Sequence, residues 1–408
     1  MIGKKGALLI VLFLLLAAGM VQAQQRVSEG GTEWDNGIIK FKSKDGKFAL
    51  RYDVRAFING AVFFENKNKG KLSNGTHLRK GRFALKTRLW SVWKMEWDMD
   101  IAEGVVEVKD MFLAYEGFEN SSIKFGNFKM PFGLEILTSS RYIPFAERAY
   151  NALAFKMGRR MALQYARWGE MWNVRAALFG QTFDTKKNKT KDETGGGLAV
   201  RVAAAPIQRD DLIVHAGAAY SITNPDDETD IEEFKSEPET KIGDVEILDT
   251  DLIRDVDNTT RIGVEGAIAY KNFHVQTEYQ MVKLARLQDK PEVNLSGGYI
   301  YFLWTLTGES RKWNKEEGEF GQLIPKDTKK GAWELGFRYS YLDLSDTKAL
   351  VLGGMANNYT AGVNWYANPN MVFQLNYTMV QTSQNATGNG FVGNDNFSYI
   401  QFMTKFFF

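Results

Sequence analysis

A row of cations in the segment 80–90 is the arrangement in this chain most capable of chemistry. Its even positions hold Lys80, Arg82, Lys86 and Arg88, and its odd positions are mainly apolar. Side chains of a strand alternate between two faces, so one face of this segment is cationic and the other apolar. In a water-soluble sheet these cations would be solvated. In a membrane barrel they would point into a channel, where Arg and Lys replace part of an anion's hydration shell.

The same alternation places further arginines on the polar face of other predicted strands, and one long loop adds more cations. The polar-phase residues are Arg51, Arg55, Arg160, Arg175, Arg201 and Arg338. The loop 133–157 carries Arg141, Arg148 and Lys156, together with apolar side chains that need something to pack against. We therefore expect this loop to fold into the barrel and narrow it. An exposed loop with an ordinary charge mix is the alternative.

Acidic side chains limit what these cations can do. Glu96, Asp98 and Asp100 share one face of the next predicted strand, so they could pair with the cations of 80–88 across the hairpin. The loop 223–258 is strongly acidic and would repel anions if it folded into the pore. Its charge bias predicts a solvated extracellular loop instead. Whether this loop lies inside or outside the pore stays open.

The chain offers little support for catalysis or for a metal centre. It contains three histidines, His77, His215 and His274, and no cysteine. The histidines are scattered, and neither HExxH nor G-x-S-x-G occurs. The glycines of 195–197 enter a predicted strand rather than a helix, so they do not form a phosphate loop. We therefore predict no enzyme, no metal site, no cofactor and no nucleic-acid partner.

The two ends of the chain indicate export and insertion into a membrane. Lys4 and Lys5 precede an apolar run over 7–18 and a small-residue site at 21–23, which predicts a cleaved signal peptide over 1–23. An uncleaved anchor is disfavoured because the apolar run is too short to span a bilayer. The last strand is amphipathic and ends on Phe408. A terminal aromatic of this kind resembles the insertion signal of bacterial outer-membrane proteins.

Segments of about ten alternating residues recur along the chain and predict a barrel. Gly is plentiful at 38 residues, Pro is scarce at 8, and aromatic residues make up 13%, which is typical of strands and turns. We predict an all-β transmembrane antiparallel β-barrel of about sixteen strands over 43–408, preceded by a periplasmic segment over 24–42. Short turns alternate with long loops, and the long connection 309–330 is the exception. The formal net charge is only +2, so selectivity must come from local arrangement.

Several motifs add a resemblance to a known family. The motifs are 125–135 (FGNFKMPFGLE), 138–140 (TSS), 147–148 (ER), 331–344 (GAWELGFRYSYLDL) and 362–366 (GVNWY). They resemble the third-loop entry and the C-terminal strands of the phosphate-selective porin O and P family. The resemblance covers most of the mature chain. It implies a trimeric, sixteen-stranded porin of the bacterial outer membrane with inward-folded loops.

The resemblance also implies an arginine-lined path that leads to a lysine-containing constriction. Lys129 is the motif lysine expected nearest that constriction. The connection 309–330 would match an inward-folding periplasmic segment of the family, and its candidate residues are Arg311, Lys312, Lys315 and Lys326.

These observations lead to one hypothesis and two alternatives. The hypothesis is passive diffusion of small anions, with phosphate-like anions favoured, through an Arg/Lys-lined lumen. The expected partners are small anions such as phosphate, outer-membrane lipid and lipopolysaccharide, and further copies of the chain in a homotrimer. A weakly selective general porin is the first alternative. A surface-binding or structural barrel that uses its long loops is the second.

Overall fold

The computed structural model describes residues 31–35, 38–64, 67–183, 195–225, 230–243 and 245–408. The signal peptide predicted over 1–23 lies outside these residues. Within them, no helix is long and apolar enough to cross a membrane.

Strands account for most of the regular structure in the described residues. In chain order they are β1 (Thr32–Asp35), β2 (Ile38–Lys42), β3 (Ala49–Phe64), β4 (Gly75–Leu89), β5 (Trp93–Asp100), β6 (Glu107–Phe118), β7 (Ser121–Lys129), β8 (Arg159–Trp168), β9 (Trp172–Phe179), β10 (Gly196–Arg209), β11 (Leu212–Asn224), β12 (Lys235–Ser236), β13 (Leu248–Asp249), β14 (Val256–Tyr270), β15 (Phe273–Arg286), β16 (Val293–Thr305), β17 (Trp313–Asn314), β18 (Glu319–Phe320), β19 (Ala332–Asp346), β20 (Val351–Asn368), β21 (Met371–Thr382) and β22 (Asn396–Phe407). The helices are α1 (Leu134–Leu137) and α2 (Tyr150–Ala154), and single 3₁₀ turns lie at Thr347–Ala349 and Gly388–Gly390.

Sixteen of these strands form one closed antiparallel sheet. From β3 onward each long strand pairs with the next long strand along the chain, and β22 pairs with β3, with Phe402 opposite Gly60. Closure leaves no free edge, and lipid requires this because it offers no partner to an unpaired backbone group. The predicted sixteen-stranded barrel is confirmed. The small β1–β2 hairpin pairs with the start of β3.

Burial alternates along the barrel strands and separates a polar interior from an apolar exterior. In β15, Glu278 and Gln280 are buried inside, whereas Tyr279 and Met281 are exposed on the outer face. This is the reverse of a water-soluble sheet. The alternation that the sequence shows is therefore that of a barrel whose outer face contacts lipid.

Two connections bring chain into the barrel from opposite ends. The loop 133–157 follows β7, the fifth barrel strand, and contains both helices. Its Phe145 and Phe155 are buried against the inner wall and other loops. The connection 309–330 forms the β17–β18 hairpin, and its Phe320 packs against Ala267 and Ala269 of β14.

The described part of the loop 223–258 also lies inside the barrel mouth. Ile247 and Leu248 are fully buried, and Glu239 is 2% exposed. The solvated extracellular loop that the charge bias predicts is therefore wrong for these residues. Apolar side chains of this loop form one core with Leu72 and Phe155 of other loops. The high acidic content of this loop hid its apolar side chains in the sequence. Inside the barrel, the acids of the loop find cationic partners.

Gly126 provides a test of how tightly the wall is built. It lies in β7 with a φ of 133°, and a Cβ atom there would lie 2.3 Å from the carbonyl oxygen of Met111. Gly126→Ala should destabilise the barrel by about 1–3 kcal/mol, because a backbone neighbour cannot move aside cheaply. Guanidinium unfolding in detergent, followed by tryptophan fluorescence, measures this. Gly180→Ala is the control, since its Cβ would meet open space. Equal stability of the two variants would contradict the packing described.

Candidate site in the barrel lumen

One buried carboxylate in β3, Asp53, gathers cations on the first wall of the lumen. Arg55 Nε donates to Asp53 Oδ1 at 2.9 Å, and Arg141 Nη1 donates to Oδ2 at 3.0 Å. The Oδ2 atom also lies 3.5 Å from Arg51 Nη2 and 3.8 Å from Lys86 Nζ. A single carboxylate therefore faces four cations. This part of the wall keeps a local excess of positive charge unless other acids reduce it.

The acids of β5 do reduce it, because they face the cation row of β4. Arg82 Nε donates to Asp100 at 2.8 Å, and Arg82 Nη1 donates to Asp98 at 3.4 Å. Lys86 Nζ lies 2.7 Å from Glu96. The strand register places Arg82 opposite Asp100 and Lys86 opposite Glu96. The pairing across the hairpin that the sequence left open is therefore present, and it compensates much of the row.

Two further pairs extend this wall. Arg88, the last cation of the row in sequence, donates through Nη2 to Glu116 at 2.6 Å. Arg159 donates through Nη2 to Asp110 at 2.7 Å. Carboxylate oxygens of Asp110, Glu96 and Asp98 lie within 4.8 Å of one another. Because each of these acids has a cationic partner, the cluster is balanced within the protein.

A second group of cations lines a cavity between the loop 133–157 and the wall. Its charged lining consists of Arg79, Lys80, Glu147, Arg148 and Lys405. We call it the cation cavity. Four of these charged groups are positive and one is negative. The cavity therefore carries more positive charge than the wall around Arg82.

A β-bulge explains why two consecutive residues reach the cation cavity. The register with β3 shifts between Phe57 and Ile58, which pair with Lys80 and Leu78, so Arg79 is the extra residue of β4. In a β-bulge, two residues of one strand lie opposite a single residue of the partner strand, and this redirects a side chain. Strict alternation assigns Arg79 to the lipid face, and the sequence analysis therefore missed it. An arginine on the lipid phase was the available signal, because a charge in lipid is costly.

Lys80 is buried without a counter-ion of its own. It is 7% exposed, and among the described residues no acceptor hydrogen-bonds to its ammonium group. Its Nζ atom lies 5.9 Å from the ring centroid of Phe57. Lys405 Nζ lies 5.7 Å from the same ring and donates to the carbonyl of Ile143 at 3.0 Å. A buried ammonium without a partner is unfavourable.

The loop side of the cation cavity holds one acid and one arginine. Glu147 accepts two bonds from the guanidinium of Arg79, one of them at 3.1 Å from Nη2. Burial alone would raise the pKa of Glu147, but Arg79 outweighs it and holds that pKa below its ordinary value. Burial lowers the pKa of Arg148 to about 10, so this group remains protonated at neutral pH. Arg148 donates to the carbonyls of Glu135 and Thr138.

The remaining loop cations have different surroundings. Lys129 donates to the carbonyls of Ile136 and Leu137 at 2.5 and 3.1 Å, at the end of α1. It therefore holds the loop in place, and a position nearest the constriction stays a prediction of the resemblance. Lys156 is exposed at the end of the loop, and Arg160 is half-buried at the start of β8.

Three predicted arginines point inward but are covered by folded-in segments. Arg201 is fully buried and donates to the carbonyl of Gly318 at 2.8 Å. Arg175 donates to the carbonyl of Glu316 at 2.7 Å. Arg338 is 2% exposed and its Nη2 donates to Glu239 at 2.8 Å. A pore-lining position is wrong for Arg201 and Arg338, because alternation sets the face of a strand but not what packs on that face.

The connection 309–330 is fixed by its own contacts. Arg311 Nη2 donates to Glu334 at 3.0 Å, and Lys315 Nζ lies 2.5 Å from Glu170. Lys326 donates to a backbone carbonyl at 2.6 Å, and Lys312 is exposed. Arg311 and Lys315 are thus compensated by acids.

Two of the three histidines lie under this connection. His215 Nε2 lies 2.9 Å from Glu265, and its Nδ1 accepts a bond from the indole of Trp313 at 3.1 Å. The ring of His274 contacts Phe320 edge to face at 4.7 Å. Both histidines therefore hold the β17–β18 hairpin against the wall, which is a packing role.

Comparisons with known proteins identify the family of this chain. Residues 48–408 match the model of the family described as phosphate-selective porin O and P. The chain belongs to the phosphate-selective porin O and P family. As a member it is an outer-membrane porin, and membership favours a channel over an enzyme. Porin O of Pseudomonas aeruginosa is 25% identical over 400 residues, which covers 88% of this chain and 89% of that protein.

Solved outer-membrane proteins share the fold of this family member. The trimer form of OmpT from Vibrio cholerae superposes with a TM-score of 0.57 at 10% identity, covering 88% of this chain and 99% of that one. An anion-selective porin from Comamonas acidovorans gives a TM-score of 0.53 at 12% identity, covering 88% and 100%. At these identities the likeness shows the barrel fold alone.

The position of Asp53 among four cations leads to a prediction on charge selectivity. Asp53→Asn keeps the shape of the side chain and removes its charge. It should raise the anion-to-cation permeability ratio by about twofold or more, because the surrounding cations lose their shared counter-charge. Reversal potentials in a potassium chloride gradient across planar bilayers measure this ratio. Asp45→Asn, in an exposed turn, is the control. Identical ratios in both variants would contradict the role of Asp53.

Proposed function

We propose that this porin carries small anions by passive diffusion and favours phosphate-like anions over chloride. The observation that carries the proposal is the cation cavity, where Lys80 is buried without an acceptor beside Arg148 and Lys405. A charge in this position needs a counter-charge. A mobile anion from the lumen supplies it. The family description and the relationship to Porin O support the same conclusion.

The donors of the cation cavity suit an oxyanion better than chloride. Arg79 and Arg148 carry planar guanidinium groups, whose geometry matches phosphate oxygens, while Lys80 and Lys405 act as point charges. Both guanidinium groups already donate through Nε and Nη2 to oxygens of the protein, and an anion would have to share or replace those partners. Ser140 also lines the cavity, and its buried hydroxyl has no partner among the described residues. A tetrahedral oxyanion has several oxygens that can accept from these donors at once. Chloride offers one spherical surface and gains less from such an arrangement.

A weakly selective porin is the second candidate, and one observation favours it. Arg82 and Lys86, at the centre of the cation row, are bound to Asp100 and Glu96. Such paired charges produce a transverse field rather than a uniformly positive path. On this reading the wall would admit ions of either sign, and selectivity would have to arise at the cation cavity. The two candidate functions therefore differ in whether an anion binds selectively at Lys80.

The domain organisation and assembly are also proposals. We infer a secreted chain with a signal peptide over 1–23, a periplasmic segment over 24–42 that includes the β1–β2 hairpin, and a barrel over 43–408 with the loop 133–157 at its constriction. We infer a homotrimer, and the trimer form of OmpT supports this because it shares the barrel fold. Contact with lipopolysaccharide stays a prediction from the sequence.

Removal of the charge at position 80 tests the proposed function. Lys80→Gln should raise the half-saturating phosphate concentration for conductance about tenfold, because a charge-assisted bond contributes roughly 1.5–3 kcal/mol and 1.4 kcal/mol corresponds to a factor of ten. Single-channel recordings over a phosphate series measure this concentration. Lys94→Gln, in β5 and outside the cation cavity, is the matched control and should leave it unchanged. Cation preference in the wild-type porin would contradict the proposal altogether.

A further inference from the structure

We propose that Glu147 is a built-in competitor of the permeating anion. Its carboxylate binds Arg79 while the cation cavity is empty and gives up this position as phosphate enters. The inference rests on the proposed function, and it concerns how tightly that same cavity holds its anion. Glu147 sets how tightly the anion binds in the cavity and how fast it leaves, and it makes no favourable contact with the anion.

The geometry of the Arg79–Glu147 pair is that of a guanidinium already holding an oxyanion. Arg79 donates through both Nε and Nη2 to the two carboxylate oxygens. Carboxylate and phosphate present two oxygens to a guanidinium fork in the same bidentate way. Glu147 therefore fills the positions that two phosphate oxygens would take on Arg79. Lys80 lines the same cavity, so an arriving phosphate meets a free ammonium next to an occupied guanidinium.

The charge count explains what such a competitor does. The lining contains four cations and a single carboxylate. With no acid present, all four cations would act on a phosphate dianion, and the anion would leave slowly. Conduction requires binding that is favourable enough for entry and weak enough for exit. When Glu147 returns to Arg79 as the anion departs, the new ion pair offsets the one that is lost.

The backbone around Glu147 is fixed, so the exchange involves the side chain alone. The carbonyl oxygen of Glu147 accepts from Arg338 Nη1 at 2.9 Å. The preceding amide, of Ala146, donates to Asn376 at 2.8 Å. Both partners belong to the barrel wall. Lys80 also interacts electrostatically with this carboxylate.

Conductance of the full-length porin in planar bilayers over a series of phosphate concentrations tests the inference. Glu147→Gln is close to isosteric and removes the competing charge. The half-saturating phosphate concentration should fall about fivefold or more, because Arg79 becomes free to bind phosphate. The saturated conductance should fall as well, because the anion then leaves more slowly. Glu147→Asp keeps the charge but shortens its reach, so it should give a smaller decrease in the half-saturating concentration.

Glu116→Gln is the matched control, since it removes the same charge from the lumen beside Arg88, outside the cation cavity. It should leave the half-saturating concentration unchanged. An unchanged or raised value in Glu147→Gln would overturn the inference, and so would a shift equal to that of Glu116→Gln. If Glu147→Gln fails to fold, an unchanged value in Glu147→Asp overturns it. Wild-type conductance that does not saturate with phosphate would contradict the proposed function itself, whereas saturation without a shift in the variants would contradict only the competitor role.

Discussion

A charge inside the barrel must find an opposite charge, and the arrangement of the lumen depends on this requirement. Lipid forces the sheet to close and its polar side chains to point inward. An ion buried there without a partner costs several kcal/mol. Asp53 therefore collects cations, Arg82 meets Asp98 and Asp100, and Arg201 meets Glu265. Within the described part of the chain Lys80 has no such partner, and the anion site is therefore proposed beside it.

The same requirement explains why acidic loops can enter an anion channel. Glu239 lies at the centre of the folded-in loops, yet Arg338 and Asn358 bind its carboxylate, so its charge is not presented to the lumen. Glu147 enters by the same principle and binds Arg79. The inward segments thus bring counter-charges to the wall and cover part of it. The cation cavity, with four cations and one carboxylate, keeps an excess of positive charge.

The sequence predicts the barrel well because its signal is local and repeated. Alternation with period two, the terminal Phe408 and the motif around 125–135 each depend on neighbouring residues. The bulge that turns Arg79 inward breaks this alternation, and its one local sign was an arginine on the lipid phase. The inward position of Glu239 depends on Arg338, which lies 99 residues away in sequence. Long-range partners of this kind decide which loops fold inward and which predicted arginines become covered.

The central claim is that a phosphate-like anion completes the charge balance around Lys80. Arsenate has the shape and charge of phosphate, and its arsenic atom gives an anomalous X-ray signal. A crystal of the porin equilibrated with arsenate tests the claim directly in an anomalous difference map. The account predicts a peak within the cation cavity, between the side chains of Lys80, Arg148 and Ser140. Arsenate peaks elsewhere in the lumen, with none in this cavity, would contradict it.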